Sequence, residues 1–289
     1  MCGELHRKTG GEVTRILVID GNQKDTRDKH VSFGGTSSGE GYAATLERLK
    51  PGIECDIVRP ADEEPKLPAG VALESYHGAV ITGSALNIYS REAAVERQID
   101  LVKAVFAAGV PCFGSCWGLQ VGVTAAGGSV VRNPRGREFG FGRRITLTSQ
   151  GRDHPMFLGK PEVFEAATVH VDTVEALPAG ATALAHNDMG LQAAEIKLKK
   201  GSFWGVQYHP EYSCAEIAAM ARRYADVLIR DGLVKDQAEL DELAANLVEL
   251  HEHPDDPRLA WRFGVGPAIT DPGIKLAELR NWLDRQVLK

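Results

Sequence analysis

Val110-Pro-Cys-Phe-Gly-Ser-Cys116-Trp-Gly-Leu-Gln120 is the stretch on which the reading of this chain turns. An apolar run from Val110 to Phe113 meets Gly114, then Ser115 and Cys116, then Gly118, and a helical pattern follows through Leu119, Val121 and Val123. That order predicts a buried strand, a very tight turn and a helix, with Cys116 at the bend. Glycines at 114 and 118 remove the Cβ atoms that a strained strand-to-helix turn has no room for. The sulfur would then stand at a helix N-terminus, where free N–H groups and the macrodipole favour an anion.

A cysteine between glycines is more often a buried filler than a nucleophile. The segment Gly205-Val-Gln-Tyr-His209-Pro-Glu211 changes that balance. His209 and Glu211 lie two residues apart at the end of a second apolar run, so they point the same way by strand alternation. Cysteine, histidine and carboxylate from separate strand ends make a nucleophile, a base and the group that orients the base. Together the two segments resemble the class I (triad-type) glutamine amidotransferases, whose marks are G-x-C-x-G-x-Q and G-V-Q-x-H-P-E in this order. The likeness is to stand-alone members of the GMP-synthase-amidotransferase or γ-glutamyl hydrolase kind. It covers about residues 14 to 230.

Around these motifs the chain alternates strand and helix. Arg15–Ile19, Cys55–Val58 and Gly78–Thr82 read as buried strands, Gly41–Lys50 as a helix, and Val95, Ile99, Val102 and Phe106 as one helical stripe after a cap at Ser90. Near-continuous apolar strands separated by helices imply a parallel sheet covered on both faces. Residues 22–41, polar and rich in Gly and Ser, read as a mobile surface loop over the site. Between 129 and 208 shorter alternating pieces (144–147, 167–170, 181–184, 192–196) suggest an antiparallel or mixed extension. The fold class is therefore α/β: a flavodoxin-like three-layer domain with a mostly parallel sheet, a mixed or antiparallel extension and extra C-terminal helices.

The chain divides into a flexible N-terminus (1–13), the amidotransferase-like domain (14–230) and a helical extension (231–289). Ser213-Cys-Ala-Glu216 is a capping box that opens the helix closing the domain, with Ile217, Met220, Ala221, Tyr224, Val227 and Leu228 as its one apolar stripe. In the extension, Leu240, Leu243, Leu247 and Leu250 follow a cap at Asp236, and Leu276, Leu279, Leu283 and Val287 follow Asp271-Pro272. Two leucine stripes must be buried on the core or against a partner, either a second copy or a separate synthetase. His251, His253, Asp255 and Asp256 read as a solvated linker rather than a metal site, and Cys2 as part of a loose terminus rather than a class II nucleophile.

The resemblance implies more than the residues alone do. It assigns Cys116, His209 and Glu211 to catalysis. The oxyanion would be held by backbone amides of Gly83 or Ser84 and of Trp117. Ser84 and Ala85 stand where the family usually has glycine and proline. An amide donor survives that change, but a turn needing positive φ would strain a serine. Gln120 and the His170-Val171-Asp172 segment would hold substrate. Arg137-Glu-Phe-Gly140 would serve a turn and packing.

A net charge of −6 argues against a broad nucleic-acid-binding face. No apolar run approaches the ~20 residues that span a bilayer, and the N-terminus lacks a secretory h-region. Five cysteines without paired spacing suit a reducing cytoplasm. The implied reaction is thioester-forming hydrolysis of glutamine or a γ-glutamyl amide, with no cofactor or metal. Two other functions compete with a stand-alone enzyme: a subunit supplying ammonia to a synthetase, and a silent regulatory protein on the same fold.

Overall fold

The computed structural model describes residues 13–288. Its strands, in chain order, are β1 (Arg15–Ile19), β2 (Glu54–Val58), β3 (Gly78–Ile81), β4 (Cys112–Ser115), β5 (Ser129–Arg132), β6 (Glu138–Leu147), β7 (Val163–His170), β8 (Asp172–Ala176), β9 (Ala181–Asn187), β10 (Gly190–Lys197) and β11 (Ser202–Val206). Among the described residues, nine of them form one sheet in the order β2-β1-β3-β4-β11-β10-β9-β6-β7. The first five run parallel. From β10 onward each neighbour is antiparallel. The remaining two, β5 and β8, pair antiparallel apart from the sheet.

Every residue of β3, β4 and β11 is buried, as the apolar runs in the sequence require of strands covered on both faces. Alternate residues feed two layers. Leu17, Ile19, Ile81 and Cys112 face the helix Ala93–Ala108. Ile16, Val18, Val80 and Phe113 face the other way. There the cover comes from the helix Ser38–Leu49 and from the C-terminal extension: Leu276, Leu279, Trp282 and Leu283 pack in the same cluster as Phe113. The Trp282 and Phe113 rings lie 6.1 Å apart. Gly78 leaves room for this, since a Cβ there would sit 2.8 Å from the Trp282 ring. Each large side chain so buried contributes about 1.5–3 kcal/mol.

The extension's other helix, Gln237–Glu252, starts at Asp236, whose carboxylate accepts from Glu239 N, and lays Leu240, Leu247 and Leu250 against the helix Cys214–Arg223 and its continuation. Both leucine stripes are thus covered by the chain itself, so they are not free to meet a partner. A buried charge pair fixes the seam. Lys160 and Glu278, with side chains 1% and 0% exposed, lie 2.9 Å apart, and Tyr208 donates to Glu278 at 2.6 Å.

Three expectations need correction. Residues 22–41 are not one long loop: Lys24–Ser32 is a helix and a second begins at Ser38. The first carries no apolar stripe and is held by polar side chains. Arg27 donates to Asp62, and His30 lies 2.7 Å from Glu216. The helix after Ser90 starts at Ala93 with Glu92 at its cap; Ser90 belongs to a short 3₁₀ turn. At the domain's end the helix breaks at Tyr224 and resumes as Ala225–Arg230. The readings of Cys2 and of residues 1–12 fall outside the described residues. Among the described residues no helix is long and apolar enough to cross a membrane.

Candidate active site

Cys116 caps the helix Trp117–Ala125 with φ 53° and ψ −103°, a conformation that residues with a side chain rarely adopt. Backbone crossings hold it there. A Cβ on Gly114 would come within 2.5 Å of the Gly118 carbonyl carbon, and one on Gly118 within 2.4 Å of the Ile81 oxygen. Cys116 N–H donates to Val206 O at 2.7 Å, which ties the bend on β4 to the end of β11. The residue is 4% exposed, and its thiol points to Val169 O at 3.7 Å.

His209 follows β11 and is 2% exposed. Its Nδ1 lies 2.7 Å from Glu211 Oε1. The other carboxylate oxygen accepts from Ser115 Oγ at 3.0 Å, and Ser115 Oγ is in turn 3.0 Å from Tyr42 Oη. Tyr212 stacks on the imidazole at 3.9 Å, with the rings 3° from parallel. Burial lowers the pKa of His209, but the charges of Glu211 and Cys116 outweigh it and raise the value to about 10. A carboxylate on one side of the ring and a sulfur on the other favour its protonated form over the free imidazole. Gly83 comes so close that a Cβ there would be 2.5 Å from His209 Cε1.

The loop after β3 is clasped by Asn22. Its amide donates to Gly83 O at 3.1 Å, and its oxygen accepts from Ala85 N at 3.1 Å. Among the described residues the N–H groups of Gly83, Ser84 and Trp117 find no acceptor. Ser84 is not in the positive-φ region, so the serine brings no backbone strain. Its hydroxyl donates to Gly21 O at 2.7 Å and accepts from Leu86 N at 3.1 Å.

Of the groups expected to hold substrate, the resemblance implies Gln120 by its side chain and the 170–172 segment by its backbone, with His170 bracing the loop. Gln120 is buried and donates to Gln207 at 3.3 Å, away from the cleft over Cys116. His170 lies between Asp172 O (2.9 Å) and Glu138 (2.8 Å), while Glu138 also accepts from Asn187. Asp172 accepts from Tyr89 at 3.2 Å, and burial raises its pKa. Val171 O accepts from Asn133 N. The cleft is lined instead by Gly83, Ser84, Val169, Tyr212, Arg223 and Tyr224 beside Cys116 and His209. Sequence reasoning missed Tyr42, Ser115, Tyr212 and Arg223; only the position of Ser115 beside Cys116 was a signal.

Cysteine, histidine and carboxylate converging at the carboxyl ends of the parallel strands of an α/β sheet is an arrangement suited to acyl transfer. The chain matches the family Glutamine amidotransferase class-I over residues 42–223 and belongs to it. It is 34% identical over 282 residues, 96% of its own length and 94% of the relative's, to a gamma-glutamyl-L-1-hydroxyisopropylamide hydrolase from a Pseudomonas species. To the GMP synthase [glutamine-hydrolyzing] of Wolinella succinogenes it is 35% identical, over 58% of this chain but only 30% of that protein. A glutamine amidotransferase from Thermotoga maritima superposes with a TM-score of 0.62 at 20% identity, over 96% of this chain and all of that one (100%). This last likeness concerns the fold.

Proposed function

We propose that the protein hydrolyses the side-chain amide of glutamine or a γ-glutamyl amide through a glutamyl-thioester on Cys116. The observation that carries this reading is the position of His209, 2.7 Å from Glu211 and sharing a cleft with a cysteine fixed at a helix N-terminus. His209 takes the thiol proton and the sulfur attacks the amide carbon. The resulting oxyanion is met by the N–H groups of Trp117 and of Gly83 or Ser84. Collapse expels the amine, which leaves with the proton from His209 while Glu211 holds the ring in one tautomer. Water, deprotonated by His209, then cleaves the thioester and releases glutamate. No cofactor enters these steps.

The Pseudomonas relative is named for a γ-glutamyl amide and aligns with nearly the whole of this chain, which favours a stand-alone hydrolase over an ammonia-supplying subunit. The chemistry needs a reduced thiol, so we place the protein in the cytoplasm. Glutamate release from glutamine and from a panel of γ-glutamyl amides, wild type beside Cys116→Ala, tests the reading. Turnover of one compound that the variant loses is the expected result. No turnover together with no labelling of Cys116 by a thiol-directed glutamine analogue would sink the assignment.

A further inference from the structure

Arg223 lines the cleft beside Cys116 and His209. It lies on the last turn of the helix Cys214–Arg223, which follows the loop carrying His209 and Glu211. Nη2 donates to Tyr224 Oη at 3.2 Å, Nη1 sits 3.9 Å from Met220 Sδ, and the guanidinium lies over the Tyr224 ring at 4.8 Å. Among the described residues no carboxylate comes within ion-pairing distance of it. Arg27 and Arg137, also largely buried, have Asp62 and Asp231. A half-buried guanidinium held in place by an aromatic ring and left without a counter-ion is poised for an anion that arrives with a ligand.

The direction of the reaction says which part of the ligand this is. His209 delivers the proton to the departing nitrogen, so the amine leaves on the His209 side. Tyr212, stacked on His209, and Arg223 line the same cleft. Arg223 also lines a second recess of about 380 Å³, together with Lys29, Phe33, Arg222, Asp226 and Asp241. Asp241 accepts from Gln237 at 2.8 Å. The recess thus holds three cations against two carboxylates, one of which already has a donor.

Building on the proposed hydrolase activity, we infer that Arg223 selects γ-glutamyl amides whose amine portion carries a carboxylate. The reaction is then γ-glutamyl-NH-R-COO⁻ plus water giving glutamate and the free amino acid, with the C–N bond broken and no electrons exchanged. Glutamine itself, which releases ammonia, leaves the recess empty and is the poorer substrate.

The test uses a matched pair, γ-glutamyl-β-alanine and γ-glutamyl-β-alaninamide, which differ only in carboxylate against carboxamide. Wild type should prefer the carboxylate by about tenfold or more in kcat/KM, the size of one charge-assisted contact, with the difference carried by KM. In Arg223→Gln the ratio falls towards one because the loss falls on the carboxylate substrate; Arg223→Lys recovers part of it. Hydrolysis of the carboxamide by the same variants reports that they are folded. Equal kcat/KM for the pair in wild type would overturn the inference while leaving the hydrolase reading intact. So would an Arg223→Gln variant that slows both substrates equally, for that would assign Arg223 to the glutamyl carboxylate. Failure of wild type to hydrolyse either compound, with Cys116 refractory to a glutamine analogue, would remove the hydrolase reading and the inference together.

Discussion

Cys116 and His209 stand at the tips of two adjacent parallel strands, β4 and β11, yet they are held by different means. The cysteine is fixed by backbone: two glycines that tolerate no Cβ, a bend at φ 53°, and a hydrogen bond to the neighbouring strand. The histidine is fixed by side chains drawn from across the chain. Glu211 and, behind it, Ser115 and Tyr42 orient the ring. The extension braces the segment from behind, where Glu278 accepts from Tyr208 and Lys275 Nζ donates to Tyr212 O at 3.1 Å. Burial, then repulsion from Arg48 and Lys160, lowers the pKa of Lys275 despite Cys214 and Glu211 nearby. The cysteine's placement is therefore a matter of main chain at neighbouring strand ends (Ile81, Cys116, Val206), whereas the histidine's depends on side chains as far off as Glu278.

The difference can be broken from either side. Glu278→Ala strips the buried Lys160 of its carboxylate and Tyr208 of its acceptor. It should cost about 3–5 kcal/mol of stability in a denaturant or thermal melt. The double replacement Lys160→Met/Glu278→Leu should cost far less, because no charge is left alone in the interior. An unchanged melt in Glu278→Ala would show that the segment carrying His209 is not supported from the extension. Gly118→Ala attacks the other half, pressing a methyl group against Ile81 O; about 3 kcal/mol is expected, at the upper end of ordinary overpacking. Full activity in that variant would mean the elbow is softer than its geometry implies.

Titration separates the two halves again. The pKa of His209 in the folded protein, about 10, lies above its unconstrained value of 6.5. Its contribution to stability is thus fully present below pH 6.5 and is lost as pH rises through about 10, at no more than about 1.4 kcal/mol per pH unit. Melts of His209→Gln should lack this alkaline decline, since nothing in the backbone of the elbow titrates. Parallel declines in wild type and variant would mean that another group is responsible. The smallest effect belongs to Ser115→Ala. Losing one donor to Glu211 should lower kcat about fivefold, near 1 kcal/mol, with KM little changed. A rise in KM alone would instead make Ser115 a substrate contact.

The same contrast explains what the sequence could disclose. The parallel strands and the elbow were legible because their apolar runs and glycines are local signals; β1, β3 and the helix after Cys116 lie where those signals put them. His209 and Glu211 do pair, but not by strand alternation: β11 ends at Val206, and the two side chains meet across a turn in which Tyr212 N–H donates to His209 O. The helix Lys24–Ser32 was illegible, because its buried face is made of Arg27 and His30, whose partners lie 35 and 186 residues away. The short pair β5 and β8 offered only four or five residues each. Tyr42 and Arg223 looked like an ordinary core aromatic and an ordinary helix-end cation. Only the fold brings one to Ser115 and the other to the cleft. Gln120 shows the converse: its place in the motif implied a substrate contact, whereas its side chain bonds to Gln207.

The family match ends at residue 223, whereas Trp282 fills the layer beneath Phe113, on the strand that leads into Cys116. The part of this protein that matches the family is consequently not a portable module. Excised at residue 230, or grafted as such onto a synthetase, it would present Phe113, Lys160 and Tyr208 to water. Any transplant of this amidase activity must carry the C-terminal sixty residues along with the motifs that name its chemistry.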